Sequence, residues 1–127
     1  MESSTFDLVA ASLRADAADI TSFVEVLATK LVESFPGHVR VERGGGLLRG
    51  GKPVRRIAVE LSDDRFVLEH DNGATACLRS RVVRGIALKS DRLELDAWID
   101  LLSRSLVAQA EASEQGRGAL ERLLAGT

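Results

Sequence analysis

The middle third of the chain alternates between apolar and polar residues, which is the pattern of β-strands with one buried face. From Arg56 to Leu61 every second side chain is a large aliphatic one. If Asp63 and Asp64 form a two-residue loop, Leu61 faces Phe66 and the same apolar face continues into the next strand. We therefore predict an antiparallel hairpin here.

A second hairpin is predicted at Asp71–Gly73, where two registers compete. A two-residue Asn72–Gly73 turn places Phe66 opposite Arg79. A three-residue loop with a left-handed glycine instead places Phe66 opposite Leu78 and keeps one apolar face. On that ground we predict the three-residue loop.

In this register the other sheet face has a weakly apolar centre inside an arginine-rich rim. We predict this face as a surface for a protein partner or an anion, with the candidate residues Arg56, Val67, Cys77, Arg79 and Arg81. Beyond Leu78 the alternation fails, which predicts a bulge near Arg81 or at Gly85.

The chain before the sheet is helical in pattern. From Ile20 to Val32 apolar residues recur at intervals of three and four, so they form one stripe of an amphipathic helix that Pro36 must end. The alanine-rich part before it contains Asp16 and Asp19, and either residue is a suitable cap for a second start. One helix or two remains open.

The chain after Lys89 also predicts a helix, with Asp91 or Asp96 as its N-cap. If it continues to Leu124 it is about 40 Å long, whereas a six-residue strand spans about 20 Å. Its far end then either folds back as a short separate helix or packs on another subunit. We favour the second, and hence a homodimer, with the candidate contacts Leu120, Leu123 and Leu124.

Together these elements predict a single α+β domain over residues 1–127. It has an N-terminal helical arm (1–36), a four-stranded antiparallel β-meander (38–89) and a long C-terminal helix (within 92–125), with both helices packed on one face of the sheet. The chain is 45% hydrophobic and 28% charged, as in folded soluble domains. It lacks a long apolar run and a basic start, so we expect a cytoplasmic protein that does not enter a membrane.

Charge is distributed unevenly along the chain, although the net charge is only −2. Residues 1–38 hold two basic and six acidic side chains, residues 39–89 eleven and six, and residues 90–127 four and seven. The basic sheet and the acidic arms are therefore suited to neutralise one another, and attraction of anions to the sheet is the alternative.

The candidate chemistry of the sequence is sparse. His38 and His70 are the only histidines, and neither has cysteine or carboxylate neighbours at metal-ligand spacing. The predicted register places His70 and Cys77 on opposite faces, so we expect no catalytic residue, metal or cofactor. The outer face has no aromatic side chain, and a pI of about 5.7 also argues against nucleic-acid binding.

The glycine-rich segment Gly44–Pro53 predicts a hairpin loop. Gly46–Lys52 has the glycine and lysine spacing of a phosphate-binding loop, but Pro53 stands where that motif needs serine or threonine. We reject that function and instead regard Leu47 and Leu48 as a candidate contact for a partner.

The sequence thus predicts a non-enzymatic protein-interaction module, adaptor-like or chaperone-like, that forms a homodimer and binds a protein partner of unknown identity. The alternative is a binder of small molecules or anions that uses the arginine-rimmed outer face.

Overall fold

The computed structural model describes residues 8–11, 20–44, 53–61, 63–71, 73–112 and 114–125. Residues 8–11 are helical. The further elements, in chain order, are α1 (Ile20–Ser34), β1 (Val39–Arg43), β2 (Val54–Glu60), β3 (Asp64–Asp71), β4 (Ala74–Val83), β5 (Ile86–Leu93), α2 (Leu95–Glu111) and α3 (Glu114–Ala125).

The strands form one antiparallel sheet in the order β1-β2-β3-β4-β5, so the predicted α+β fold with a β-meander is confirmed. The described sheet has five strands rather than the predicted four. The run predicted as one strand is divided at Arg84 and Gly85, whose φ angles of 54° and 80° are those of a two-residue hairpin turn. The chain then returns as β5, which extends to Leu93.

One face of the sheet carries the helices and the core. Trp98 of α2 is fully buried there, and its ring meets Phe66 of β3 edge to face, with 6.3 Å between centroids. Its Nε1 donates a hydrogen bond to the Leu78 carbonyl oxygen at 3.1 Å, which satisfies the polar end of a buried indole. The largest fully buried side chains include Phe23, Leu27, Leu31, Ile57, Leu68, Ile99, Leu102 and Leu106.

Helix α1 forms as its apolar spacing predicts. Its buried residues are Phe23, Val24, Leu27, Ala28, Leu31 and Ser34. The Phe35 N–H donates to the Leu31 carbonyl at 2.8 Å and the His38 N–H to the Phe35 carbonyl at 2.9 Å, so the chain turns tightly into β1. Whether α1 continues into the preceding helical residues is not decided, because residues 12–19 lie outside the described part of the chain.

The C-terminal arm consists of two helices rather than one long helix. α2 ends at Glu111, and α3 packs back against α1 and α2. Leu123 is 1% exposed within its own chain, and Leu124 packs against the same core. The fold-back arrangement therefore occurs, and it buries leucine side chains that an overhanging helix would expose to water.

The start of α2 also differs from the prediction. Its N-cap is Glu94, which makes no side-chain capping bond. Asp91 lies in β5 and Asp96 in the first turn of the helix, so neither is the N-cap.

The β2–β3 hairpin is shifted from its predicted register by two residues. Val59 lies opposite Phe66, and the Leu61 N–H donates to the Asp64 carbonyl at 2.9 Å. The loop therefore lies between Leu61 and Asp64 rather than at Asp63 and Asp64. A shift of two keeps every side chain on its predicted face, because the side-chain period of a strand is two.

The β3–β4 register is the one that the sequence argument rejected. Asp71 lies opposite Ala74, which leaves a two-residue loop, and Phe66 lies opposite Arg79 rather than Leu78. Gly73 has a φ of 79°, as a tight hairpin turn requires. The turn chemistry of Asn-Gly thus outweighs the apolar alternation.

Arg79 is tolerated on the helix-covered face because Asp64 lies beside it. The Arg79 Nη2 and Nε atoms lie 2.8 and 3.0 Å from Asp64 Oδ1. Ser105 Oγ of α2 donates to Asp64 Oδ2 at 3.3 Å. The two charged side chains are 24% and 16% exposed, and such a partly buried charge needs a partner of opposite sign.

Candidate functional site

The predicted partner face is divided between two faces of the sheet. Arg56 and Val67 lie on the outer face, as predicted. Cys77 lies opposite Leu68 and Arg79 opposite Phe66, so both are on the inner face, against the prediction. Arg81 lies opposite Asp64, which gives it the parity of Arg79, although it is exposed at the end of the ladder.

The actual outer face has an apolar row across its centre. Ala58, Val67 and Leu78 lie side by side on β2, β3 and β4, with Arg40 on β1 and Arg92 on β5 at the two ends of the row. Val67 is buried although no helix covers it. The one-residue shift of β4 thus places Leu78 where Cys77 was expected.

Two arginines of the β2–β3 part of this face, Arg56 and Arg65, are already paired with glutamates. Arg56 Nη1 lies 3.0 Å from Glu42 Oε2, and its Nε lies 3.7 Å from Glu69 Oε2. Arg65 Nη2 lies 3.2 Å from Glu60 Oε2. Because the carboxylates offset these charges, this part of the face attracts free anions weakly.

The histidines and the thiol have structural contacts. His38 Nδ1 donates to the Glu60 carbonyl oxygen at 3.1 Å, and His70 Nδ1 lies 2.9 Å from Thr75 Oγ1. Burial raises the pKa of Cys77 to about 11, and the nearby positive charge of Arg92 opposes that rise. A thiol with such a pKa is protonated at neutral pH and is a poor nucleophile.

His70 and Cys77 share the inner face, against the prediction, because their ladder partners Thr75 and Leu68 mark the same parity. The raised pKa of Cys77 rather than its orientation is what argues against a reactive pair. Among the described residues, no three His, Cys, Asp or Glu side chains are grouped so that they could hold a metal ion.

Two grooves run along α1. The one between α1 and β1 has a volume of about 480 Å³, and its lining includes Val32, Val41 and Arg43. The one between α1 and α3 has about 290 Å³, and its lining includes Glu25, Lys30 and Arg122. Val32 gives the first groove a half-exposed apolar wall.

The other predicted contacts cannot be assembled into one surface. Leu47 and Leu48 lie outside the described residues, as does the side chain of Leu120. Leu123 and Leu124 pack against their own chain, so a dimer formed through them would require α3 to leave the core.

The surface that the sequence argument missed is the β5 edge. Within the part of the chain that the structure describes, β5 pairs with β4 alone, so one side of this eight-residue strand faces solvent with its backbone N–H and C=O groups. The β4–β5 hairpin also passes the end of β3, whose last partner on β4 is Arg81. We refer to residues 82–88 as the hairpin tip.

Exposed apolar side chains are concentrated on this hairpin tip. Ile86 is 67% exposed, Leu88 51% and Val83 50%. The described residues include only two further exposed large hydrophobic side chains, Leu8 and Val32. Because most of the hairpin tip lies beyond β3, its side chains gain little cover from the rest of the chain.

The charges along β5 also have no ion-pair partner among the residues that the structure describes. Lys89, Asp91 and Arg92 are exposed, and none of them forms an ion pair with another residue that the structure describes. The register of β5 against β4 shifts between Ser80 and Val82, which confirms the predicted bulge near Arg81.

The sequence does contain a signal for β5. Arg84–Gly85 is flanked by Val82-Val83 and Ile86-Ala87, which is the pattern of two short strands joined by a tight turn. Hydrophobic alternation does not predict this strand, because residues 89–92 are all polar and an exposed edge strand needs no apolar alternation.

No protein-family model, curated protein or solved structure matches this chain. Within the described ranges, no helix is both long and apolar enough to cross a membrane.

Proposed function

We propose that this protein is a non-enzymatic protein-interaction module, adaptor-like or chaperone-like, that binds a protein partner through the β5 edge and the hairpin tip. The observation that carries the proposal is an eight-residue edge strand that includes two exposed aliphatic side chains, Ile86 and Leu88, next to a third, Val83 of β4. The expected mode is addition of a partner strand to the sheet.

An open sheet edge is a ready template for another strand. The partner's main chain supplies hydrogen bonds, and side-chain contacts beside the new strand supply specificity. Ile86, Leu88 and Val83 would supply apolar contacts next to the edge. Clusters of exposed apolar side chains commonly mark interaction sites.

The non-enzymatic part of the proposal is supported by how the reactive side chains are used. His38 and His70 each engage a neighbour in the sheet through Nδ1, and Cys77 is a buried thiol with a raised pKa. We place the protein in the cytoplasm as part of the same proposal, where a free thiol such as Cys77 remains reduced.

The anion-binding alternative has less support. It requires uncompensated positive charge on the outer face, whereas Arg56 and Arg65 lie beside glutamates. The arginines at the ends of the apolar row, Arg40 and Arg92, lie on the two outermost strands, too far apart to hold one small anion together.

Capture of partners from a lysate of the native cells tests the proposal. The baits are the purified protein and its Ile86→Asp variant. The substitution replaces the most exposed apolar side chain of the hairpin tip with a charged one. The matched control is Val32→Asp, which places the same charge on an exposed apolar residue of the α1–β1 groove.

We expect Ile86→Asp to lose proteins that the parent and Val32→Asp both retain, with unchanged thermal unfolding of all three baits. Loss with Val32→Asp alone would instead assign the contact to the groove. Retention of every bound protein by Ile86→Asp would overturn the proposal.

A further inference from the structure

We infer that a second copy of this chain binds at the β5 edge, and that the two β5 strands pair antiparallel across a two-fold axis that passes through Ser90. This inference rests on the proposed function, since it names the occupant of the same edge. The result is a dimer with one continuous sheet, in which the two β5 strands lie at the centre.

A two-fold axis restricts the possible ladders severely. In a pair of identical antiparallel strands, the residue on the axis faces itself and its neighbours face one another in reverse order. β5 has eight residues. Residues directly opposite each other in an antiparallel ladder have side chains on the same face, so the axis must pass through a residue rather than between two. An axis that keeps at least six residues of each copy in the ladder then lies at Lys89 or at Ser90.

Charge then selects between these two axes. An axis at Lys89 places the two lysines opposite each other. Like charges directly opposite destabilise an antiparallel pair.

The remaining axis, at Ser90, pairs opposite charges twice. Lys89 of each copy then faces Asp91 of the other. The charges that have no ion-pair partner among the described residues of one chain are thus complementary to those of a second chain.

A shorter ladder makes a competing pattern. An axis at Asp91 places the two aspartates opposite each other and Ser90 opposite Arg92, and only Lys89–Leu93 of each strand remains paired. An exchange of the charges at positions 89 and 91 distinguishes the two ladders. It restores opposite charges across an axis at Ser90, whereas an axis at Asp91 pairs like charges both before and after the exchange.

Sedimentation equilibrium of the full chain, in low salt, tests this inference with the variants Lys89→Glu, Asp91→Lys and the double exchange. We expect the parent to be a dimer. Each single variant creates two like-charge pairs and should weaken dimerisation at least about tenfold, and the double exchange should restore it. The two side chains concerned are exposed, so circular dichroism should show the same thermal unfolding for every monomer.

A parent that stays monomeric at all concentrations overturns the inference, as does a dimer that neither single variant weakens. A double exchange that remains monomeric overturns the Ser90 register. None of these results removes the proposed function, because capture of a different protein that depends on Ile86 is an independent outcome. Conversely, a Ser90-centred dimer without any captured protein limits the module to self-association.

Discussion

The two edge strands of the sheet, β1 and β5, differ in length and in the contacts that they make with a helix. β1 has five residues and β5 has eight. Beside β1, Glu25 of α1 binds the Arg43 guanidinium at 3.1 Å with one carboxylate oxygen and accepts the Val54 N–H at 2.8 Å with the other. β5 has a bulge and a lysine but no comparable contact from a helix.

Natural sheets protect their edges by short strands, bulges, charges or a covering element. β1 uses the first three, because it is short and charged and its register against β2 shifts between Glu42 and Arg43, and Glu25 of α1 also contacts its last residue. β5 retains eight residues and lies next to exposed aliphatic side chains. The difference indicates that self-association or partner binding, if it uses the sheet, uses the β5 side.

The largest expected effect on stability comes from Trp98, which packs beneath β4 next to the exposed β5 edge. Trp98→Ala should lower the free energy of unfolding by about 3 to 5 kcal/mol, because it removes a fully buried indole from beneath β4. Urea denaturation measures this change. Trp98→Phe should cost clearly less, since it retains an aromatic ring beside Phe66; equal losses would show that the hydrogen bond to Leu78, rather than ring burial, supports β4.

Alkylation of Cys77 reports the separation of β5 from β4, because Cys77 lies opposite Leu93 of β5. With its pKa raised to about 11 from 9.0, alkylation at pH 8 should be at least about a hundredfold slower than in the unfolded chain. Iodoacetamide labelling followed by mass spectrometry measures both rates. Similar rates would mean that β5 separates from β4 readily.

The same pKa fixes the sign of a pH effect on stability. Above pH 9 the unfolded thiol ionises while the folded thiol stays protonated, so the contribution of Cys77 to stability is full below pH 9 and is lost as the pH rises toward about 11. Cys77→Ala should lack this loss, which comparison of thermal unfolding at pH 8 and pH 10 would show.

On the β1 side of the sheet, Glu25→Ala should lower the free energy of unfolding by about 1 to 3 kcal/mol, since it leaves the Val54 N–H without its acceptor. Glu33→Ala, on the exposed surface of the same helix, is the control and should change it by less than about 0.5 kcal/mol. Equal effects in denaturant titrations would contradict the role given to Glu25 in closing this edge.

The smallest effect is expected at the exposed outer ion pairs. Arg56→Ala should cost less than about 1 kcal/mol, because exposed pairs of this kind contribute little. Denaturant titration in low and high salt measures it, and salt should reduce the difference further. A loss of stability as large as that of Glu25→Ala would show that ion pairs across β1–β3, rather than the contact from α1, stabilise the β1 side of the sheet.

The sequence predicts the elements that have strong periodicity. The stripe from Phe23 to Leu31 and the apolar face of Ile57 and Val59 both form as expected. An error of two positions in the β2–β3 loop does not change which side chains face the core, because the side-chain period of a strand is two.

The β3–β4 register could not be obtained from apolar alternation alone. It depends on a long-range pair, Arg79 with Asp64, which makes an inward arginine acceptable, and on a turn preference that acts locally. The candidate site was missed for a related reason. β5 is an exposed edge, and its polar residues from Lys89 to Arg92 carry no burial signal.

The hairpin turn at Arg84 and Gly85 has a practical consequence. It is exposed, it lies past the last β3–β4 pair, and it belongs to none of the buried clusters. Exposed loop tips of this kind accept inserted segments with little harm to the rest of the domain. A fluorophore or epitope grafted between these two residues would therefore sit beside the open strand and report its occupation in living cells, while the folded body of the molecule stays unchanged.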